Sequence, residues 1–405
     1  MPRPARTISS PDGVAQHPNH ARPGLSENAV PFLSAFPEPA RALPRPGLDF
    51  TAQDYLALAS HPAIRSAVLA ALGQSHPASS PSAPALALQA RIAAFLQLPA
   101  ALVFPSGTDA ICATLLGLFH PQDDVIIDAG AHPAMFETTI AAGARPHRCP
   151  SGSLEGLERR LSRLGRQQHR GRIFIAVPAI SAHGSRMADL AELTQLARQH
   201  GAVLIADVSH DLGALGQEGR GVLELQGCLG RVDVVLGSFA KTFAATGGFV
   251  ALRDPALADA LRPGQKHRAA LSPVNATVIQ TALDLVDSPE GRRRRRRLHG
   301  CALRLRNRLM SDGLRVMGQV SPLVPVRLPL QTAEARTRLL ASAGPQVPLL
   351  LAPIVPGHAP RWRIQLTADH GAADIDDLAE LICDVTRVFD RDTRAGLVPE
   401  PLGSD

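Results

Sequence analysis

The chain has 405 residues, of which 45% are hydrophobic and 19% are charged, with a formal net charge of +6 at pH 7. This length is sufficient for one large and one smaller domain with a substantial core. No apolar run reaches the roughly 18 residues of a membrane-spanning helix, and the N-terminus lacks a signal pattern, so a cytoplasmic protein is expected. The five cysteines are scattered and never form a CxxC pair, which argues against a disulfide framework and a zinc site.

Lysine is scarce in this basic chain. Only two of the 42 basic residues are lysines, Lys241 and Lys266, and the others are arginines. A GC-rich genome accounts for this bias without any functional reason. Any mechanism that needs a lysine amine nevertheless has only two candidates.

The first half of the chain has the pattern of an α/β protein. Residues 1–45 are rich in Pro, Ser and Ala without periodicity, which is typical of an irregular arm. Apolar residues at helical spacing predict helices at 62–72 and 86–96, and strands then alternate with helices. The predicted strands are 101–104, 124–127, 173–177, 203–206, 232–236 and 249–252, and the helices between them include 109–119, 154–164 and 187–199. This order predicts a mainly parallel sheet covered on both faces.

The second half predicts a smaller α+β domain. One long helix is expected at 275–308, and it contains six consecutive arginines at 292–297. Strand-like runs at 323–328, 349–354 and 363–366 follow, and an amphipathic helix at 373–389 comes last. We therefore expect an arm at 1–45, a large domain at 46–285, a small domain at 286–390 and a tail at 391–405.

Two residues that follow buried strands suggest a site. Asp207 ends one predicted strand and Lys241 lies just past the next, and ligands of parallel α/β sheets bind at the carboxyl ends of strands. A carboxylate there is costly unless it meets a cation, such as the ring nitrogen of pyridoxal 5′-phosphate (PLP). A lysine that forms a Schiff base with PLP needs the same placement. Alone, Asp207 would fit a helix cap and Lys241 an ordinary surface residue.

Two other strand ends carry weaker signals. Ser106, Gly107 and Thr108 open a helix after a strand, where backbone N–H groups and the helix dipole favour a phosphate. His132 follows another strand and could stack on a cofactor ring. Each pattern alone is more often structural, as a helix cap or a core histidine.

In order and spacing, these residues resemble the α-oxoamine synthase family of fold-type-I PLP enzymes. The resemblance extends over about residues 49–389 and rests on several segments. They are DYLALASHP from Asp54, ALVFPSG from Ala101, Asp128 with His132, DVSH from Asp207, GQEGRGV from Gly216, SFAK from Ser238 with the pair Gly247-Gly248, and RWRIQLTADH from Arg361. The resemblance implies an aspartate-aminotransferase-like fold, with a large domain built on a mainly parallel seven-stranded sheet and a smaller α+β C-terminal domain.

The resemblance also assigns roles to single residues. Lys241 would hold PLP and serve as a general base, Asp207 would meet the ring nitrogen, and His132 would stack on the ring. His210 and Ser181 would contact the phenolic oxygen, while Ser106, Gly107, Thr108 and Ser238 would bind the phosphate. Arg363 would hold the substrate carboxylate, for which a planar guanidinium is suited, and Asp54 would face the substrate.

Several positions depart from the family pattern. The family's Gly-rich loop is replaced by HPASSPSA at residues 76–83, which puts the acyl donor and its carrier in doubt. Asp54 stands for an asparagine, Ala240 for a serine, and His183 for an acidic residue. These changes indicate a divergent member of the family.

The activity implied is PLP-dependent condensation of an amino acid with an acyl thioester of coenzyme A or acyl carrier protein, with loss of CO₂. The product would be an α-amino ketone, and a homodimer is expected. Transamination, aldol cleavage or elimination on the same fold would share Lys241 and Asp207, so these residues do not separate the alternatives. A catalytically silent partner subunit is a further alternative, against which an intact Lys241 argues.

The arginine run at 292–297 has two interpretations. It could be a solvated helix face, or it could dock the phosphates of coenzyme A or an acidic carrier protein. A nucleic-acid partner is poorly supported, because aromatic residues make up only 3% of the chain and no binding motif accompanies the charge.

Overall fold

The computed structural model of the chain describes residues 49–72, 81–166, 171–265 and 269–394. The expected arm at 1–45, most of the loop at 76–83, Lys266 and most of the tail at 391–405 lie outside these described residues. Within the described ranges, no helix is both long enough and apolar enough to cross a membrane.

A seven-stranded sheet forms the centre of the larger part. Its strands are β1 Ala100–Phe104, β2 Asp124–Asp128, β3 Arg145–Cys149, β4 Ile173–Pro178, β5 Val203–Asp207, β6 Val234–Ser238 and β7 Gly248–Leu252. They are ordered β1-β7-β6-β5-β4-β2-β3. β7 runs antiparallel to both of its neighbours, and the other pairs are parallel. The predicted mainly parallel seven-stranded sheet is thereby confirmed.

Helices cover both faces of this sheet. They are α1 Pro62–Leu72, α2 Ala83–Leu96, α3 Gly107–Leu118, α4 Pro133–Ala141, α5 Leu154–Gly165, α6 Leu190–Gln199, α7 Gly221–Leu225, α8 Pro255–Gln265 and α9 Pro273–Asp287. Successive strand residues enter opposite cores: Phe174 of β4 packs in one apolar cluster and Ile175 in the other. Both faces of the strands are therefore buried, which explains their nearly continuous apolar sequences.

The smaller C-terminal part has its own antiparallel sheet. Its elements are α10 Pro289–Ser311, β8 Leu323–Arg327, α11 Ala333–Ser342, β9 Leu349–Leu350, β10 Arg361–Gln365 and α12 Ala372–Arg394, with a 3₁₀ turn at Leu330–Thr332. β10 lies between β8 and β9. The expected smaller α+β domain is confirmed, while its exact boundaries remain a prediction.

Several local predictions differ from the structure. The expected helix at 275–308 is two helices, α9 and α10, because Pro289 has no N–H to continue α9 and Ser288 caps α10 through Gly291 N. α6 begins at Leu190 rather than 187, since Met187 forms an antiparallel bridge with Ile180. β3 and α4 were not predicted. β3 is an edge strand with one buried residue, so it lacks the apolar run of its neighbours.

The arginine run on α10 is largely bonded within the protein. Arg292 pairs with Glu218, Arg294 pairs with Glu290, and Arg297 donates to the carbonyls of residues 369 and 370. Arg295 is buried and donates to the carbonyls of residues 217 and 286. Most of these bonds join α10 to α9 and to nearby loops, so the solvent-facing part of the run is smaller than either interpretation of the sequence assumed.

Candidate active site

Six of the seven strands, β1 to β6, end at one edge of the large sheet, and β7 begins there. In the register of the central strands, Gly248 at the start of β7 lies opposite both Phe104, which ends β1, and Ser238, which ends β6. Asp207 ends β5 and Asp128 ends β2 at the same edge, because β2, β4, β5 and β6 are parallel. The topology therefore brings together side chains that are more than a hundred residues apart in sequence.

Lys241 lies just beyond β6 and is partly buried. Burial lowers the pKa of its amine below the ordinary value; the carboxylate of Asp207 opposes this shift, and the guanidinium of Arg363 adds to it. The amine is thus within electrostatic reach of one anion and one cation. A lysine with a lowered pKa has a larger neutral fraction, which is the form that attacks carbonyl carbons.

Asp207 has one engaged and one available oxygen. Its Oδ1 accepts hydrogen bonds from the backbone N–H of Ser209 at 2.9 Å and from the Ser209 hydroxyl at 2.6 Å. Within the part of the chain that the structure describes, no group donates to Oδ2. The serine therefore holds the carboxyl group in one orientation and leaves one oxygen for a cationic or N–H-bearing ligand.

The N-terminus of α3 lies directly against Ser238. A Cβ atom on Gly107 would lie 2.8 Å from Cβ and 3.0 Å from Oγ of Ser238, so only glycine allows this approach. The first backbone N–H groups of a helix have no partner within the helix, and they favour anions. The Ser106 hydroxyl caps Asp109 N and donates to Asp109 Oδ2 at 2.8 Å, so its proton is already used. Thr108 is exposed at the same turn.

Gly107→Ala should weaken PLP binding by about tenfold, because the added methyl group would push Ser238 out of place at a cost of about 1–3 kcal/mol. The dissociation constant for PLP, measured by titrating the PLP-free protein, tests this. Gly300→Ala is the matched control, because Gly300 is exposed on α10 and an added Cβ there has no neighbour within 4 Å. Equal PLP affinity in the two variants would contradict the assignment of this turn.

The loop after β2 presents His132 at the start of α4. Asp128 organises this loop, because its two oxygens accept the backbone N–H groups of Gly130 at 2.7 Å and Gly152 at 3.0 Å. His132 caps α4 through Nδ1, which accepts Ala134 N at 3.2 Å, and its ring is otherwise exposed. An exposed ring on a fixed turn is available for stacking. Ser181, nearly buried, lies against Gly130 in the same region.

His183 is also a member of this group of side chains. Burial lowers the pKa of its ring to about 4, and the charges of Arg363 and Arg361 and the nearby His132 act in the same direction. The ring is therefore neutral at pH 7. The sequence marked His183 only as a departure from the family pattern, whereas its position gives the cleft a neutral imidazole where the family has an acid.

Arg363 of β10 brings a cation from the smaller part of the protein. Its Nε is buried and has no hydrogen-bond partner among the described residues. Burial lowers the pKa of the guanidinium, which nevertheless stays charged at pH 7. Arg361 on the same strand is used structurally, because it donates to the carbonyls of Ala359 and His183. A partly buried guanidinium whose Nε has no partner is suited to bind a carboxylate.

His210 and Tyr55 form a side-chain pair, and His210 is within electrostatic reach of Lys241. The Tyr55 oxygen lies 2.7 Å from His210 Nδ1, and Tyr55 is completely buried. Burial, and then the positive charges of Lys241 and Arg363, hold the pKa of His210 well below its ordinary value. The sequence singled out His210 but gave no role to Tyr55, although Tyr55 lies in one of the segments that carry the resemblance.

Asp54 has a visible structural role. Its two oxygens accept the backbone N–H groups of Leu58 at 2.9 Å and Ala59 at 2.8 Å, and burial raises the pKa of its carboxyl group. These bonds hold the turn that carries Tyr55. The expected contact of Asp54 with a substrate stays a prediction.

The donor set of this cleft fits PLP. A phosphate needs N–H and hydroxyl donors, which the first turn of α3 and Ser238 offer. The ring nitrogen needs an acceptor, which Asp207 Oδ2 provides, and the aldehyde carbon needs an amine, which Lys241 provides. The unpaired Arg363 lies outside these requirements and remains free for a substrate carboxylate. The groups that meet these requirements are ones that the sequence singled out, and their roles stay predictions; the neutral histidines and Tyr55 lie beside them.

Known proteins are similar in sequence to most of this chain. A family model described as aminotransferase class I and II matches residues 45–382. The 8-amino-7-oxononanoate synthase of Geobacter sulfurreducens is 31% identical over 335 residues, covering 80% of this chain and 84% of that protein. The enzyme of the same name from Bordetella petrii is 32% identical over 350 residues, covering 83% and 87%.

Solved structures share the fold. Serine palmitoyltransferase from S. paucimobilis, solved with PLP and myriocin bound, has a TM-score of 0.78 at 24% identity and covers 84% of this chain and 88% of that chain. 8-Amino-7-oxononanoate synthase from Francisella tularensis has a TM-score of 0.74 at 20% identity and covers 85% and 98%. At these identities the two structures support the fold alone.

Proposed function

This chain belongs to the α-oxoamine synthase family of PLP-dependent enzymes, and on that premise we propose that it joins an amino acid to an acyl thioester with loss of CO₂. PLP is its cofactor. The acyl group moves from the thioester sulfur to the α-carbon, and the thiol of coenzyme A or of an acyl carrier protein is released. The product is an α-amino ketone. Support comes from the relatives named 8-amino-7-oxononanoate synthase and from the donor set of the cleft.

The unpaired guanidinium of Arg363 is the observation that carries this proposal. It lies near enough to Lys241 and His210 to lower the pKa values of both. A carboxylate bound to Arg363 would therefore lie within electrostatic reach of the lysine amine. The pairing of a planar guanidinium with a carboxylate also fixes the orientation of the substrate.

The remaining groups act on protons and charge. PLP, when bound, stabilises negative charge that develops at the α-carbon of an amino acid. The amine of Lys241 removes the α-proton, a task for which its lowered pKa suits it. Asp207 would accept from the ring nitrogen through Oδ2, and the exposed ring of His132 would stack on the cofactor and shield it from water. His210 and Ser181 would bind the phenolic oxygen.

Arg363→Lys should raise the KM for the amino acid by about tenfold to a hundredfold while PLP affinity stays unchanged. Lysine keeps the charge but loses the two parallel N–H donors that bind a carboxylate. Steady-state kinetics with varied amino acid, together with a PLP titration, separate the two effects. Arg293→Lys on the exposed face of α10 is the control and should behave as wild type. An unchanged KM in Arg363→Lys would remove this residue from the substrate site.

The reaction itself is tested by product analysis. Purified protein with PLP is supplied with each amino acid, labelled at its carboxyl carbon, and with acyl thioesters of different chain length. We expect thiol and labelled CO₂ to appear in equal amounts and only when both substrates are present. Formation of a keto acid without a thioester would identify transamination instead. No turnover with any substrate despite bound PLP would favour a silent subunit.

We also propose that the protein is a homodimer of the cytoplasm, as the family resemblance implies. Two large apolar side chains, Leu69 of α1 and Leu86 of α2, are exposed by 73% and 51%. Exposed apolar side chains of this size support a surface that a second copy covers. Light scattering of the purified protein should give twice the mass of one chain, and a monomer at micromolar concentration would contradict the proposal.

A further inference from the structure

Tyr55 is held rigidly beside the cleft. Its side chain is 0% exposed, and its carbonyl accepts the backbone N–H of Ala368 at 2.8 Å, which joins the turn at Asp54 to the segment after β10. The adjacent Leu56 carbonyl accepts a hydrogen bond from Arg294 of α10 at 3.0 Å. Both bonds tie the segment around Tyr55 to the smaller C-terminal part of the protein, and the hydroxyl itself is held by its bond to His210, which follows β5.

The hydroxyl of Tyr55 must be the donor in its bond with His210. Burial raises the pKa of Tyr55 above its ordinary value, so the phenol keeps its proton. Within the described ranges, His210 Nδ1 is the partner of this hydroxyl, at 2.7 Å. A buried O–H group that donates nowhere is costly, so the proton points at Nδ1, and Nδ1 accepts it as an unprotonated nitrogen.

His210 carries a single proton. Its pKa is lowered by burial first and then by Lys241, Arg363, His183 and His132, so the ring is neutral at pH 7. A neutral imidazole has one N–H group and one acceptor nitrogen. Since Nδ1 is the acceptor, Nε2 carries the proton. None of the described residues forms a hydrogen bond with Nε2, which leaves this N–H for a ligand.

We infer that Tyr55 is a positioning residue that fixes the proton of His210 on Nε2, where it is donated to the phenolic oxygen of PLP. The inference rests on the proposed function in that it takes His210 to face that oxygen. The tautomer itself is a property of the protein alone, because it follows from the Tyr55 bond. A histidine free to change tautomer would present an acceptor to an oxygen that needs a donor.

The tautomer can be measured without cofactor. In protein labelled with ¹⁵N-histidine, the two ring nitrogens of His210 have different shifts when protonated and unprotonated, and His210→Asn identifies its signals among those of the 15 histidines. We expect an unprotonated Nδ1 and a protonated Nε2 in the wild type, and a mixture in Tyr55→Phe. A protonated Nδ1 in the wild type, or the same tautomer in Tyr55→Phe, would overturn the inference.

A double-mutant cycle tests the consequence for PLP. Tyr55→Phe should weaken PLP binding by about threefold to tenfold, the effect of one hydrogen bond, and should shift the pH midpoint of the visible absorbance of the holoenzyme. In a His210→Asn background the same substitution should change neither quantity. An equal effect in both backgrounds would show that Tyr55 acts through packing alone. If the wild type binds no PLP, the proposed function fails while the tautomer measurement still stands.

Discussion

Replacing Lys241 with alanine should leave a folded protein that holds PLP weakly and without a covalent bond, and that turns over about 10²- to 10⁴-fold more slowly. The substitution removes the amine that carries the cofactor and the base that removes the α-proton. The substitution also removes a charge whose burial is unfavourable, so the free energy of unfolding should not decrease. Gel filtration with PLP detects the lost retention, and thiol release measures turnover.

Lys266→Ala is the matched control, because 241 and 266 are the only lysines in the sequence. It removes the same type of side chain and should leave PLP retention and turnover within about twofold of the wild type, because the proposed reaction gives Lys266 no role. A result in which Lys266→Ala loses the cofactor while Lys241→Ala keeps it would place the chemistry elsewhere.

Asp207→Asn should lower turnover by about 10²- to 10³-fold, the usual effect of removing one preorganised charge from an active site. The amide keeps the shape of the carboxyl group and can still accept the hydrogen bond from Ser209 N. Because the Asp207 carboxylate raises the pKa of Lys241, its loss should lower that pKa further. PLP capture by the PLP-free protein requires the neutral amine, so the midpoint of its rate against pH should move to lower pH.

Asp254→Asn provides a closely matched comparison. Asp254 lies just after β7, and its Oδ1 accepts the backbone N–H of Ala256 at 2.9 Å. Asp207 at the end of β5 accepts the N–H of Ser209, two residues on, in the same way. Asp254 is exposed, and no function is proposed for it. This variant should keep the wild-type turnover and the wild-type pH midpoint. A similar loss in both variants would mean that the turn geometry, and not the charge at residue 207, matters for the reaction.

The main groups of the site were predictable because they follow buried strands. Apolar runs identify β5 and β6, parallel order places their carboxyl ends at one edge, and Asp207 and Lys241 come next in sequence. The same logic applies to Ser106 after β1. The polar edge strand β3 escaped prediction because only one of its residues is buried. Pro289 indicated the break between α9 and α10, because proline has no N–H to continue the hydrogen bonds of the preceding helix.

Contacts between distant side chains could not be predicted. The bond between Tyr55 and His210 joins positions 155 residues apart, and no local pattern marks it. The cluster of positive and neutral groups around His183 arises only when β10 of the smaller part lies beside the large sheet. Likewise, the arginines of α10 resemble a solvated run in sequence, but Arg295 is buried and donates to carbonyls of α9 and of the loop at residue 217. These features depend on tertiary packing and not on periodicity.

Reduction of the PLP-loaded protein with borohydride, followed by digestion and mass spectrometry, tests the central claim most directly. Borohydride converts a lysine–PLP imine into a stable amine, so the modified residue carries the cofactor mass. The account predicts one PLP adduct per chain, on the peptide that contains Lys241. An adduct on Lys266, or no adduct at saturating PLP, would contradict it.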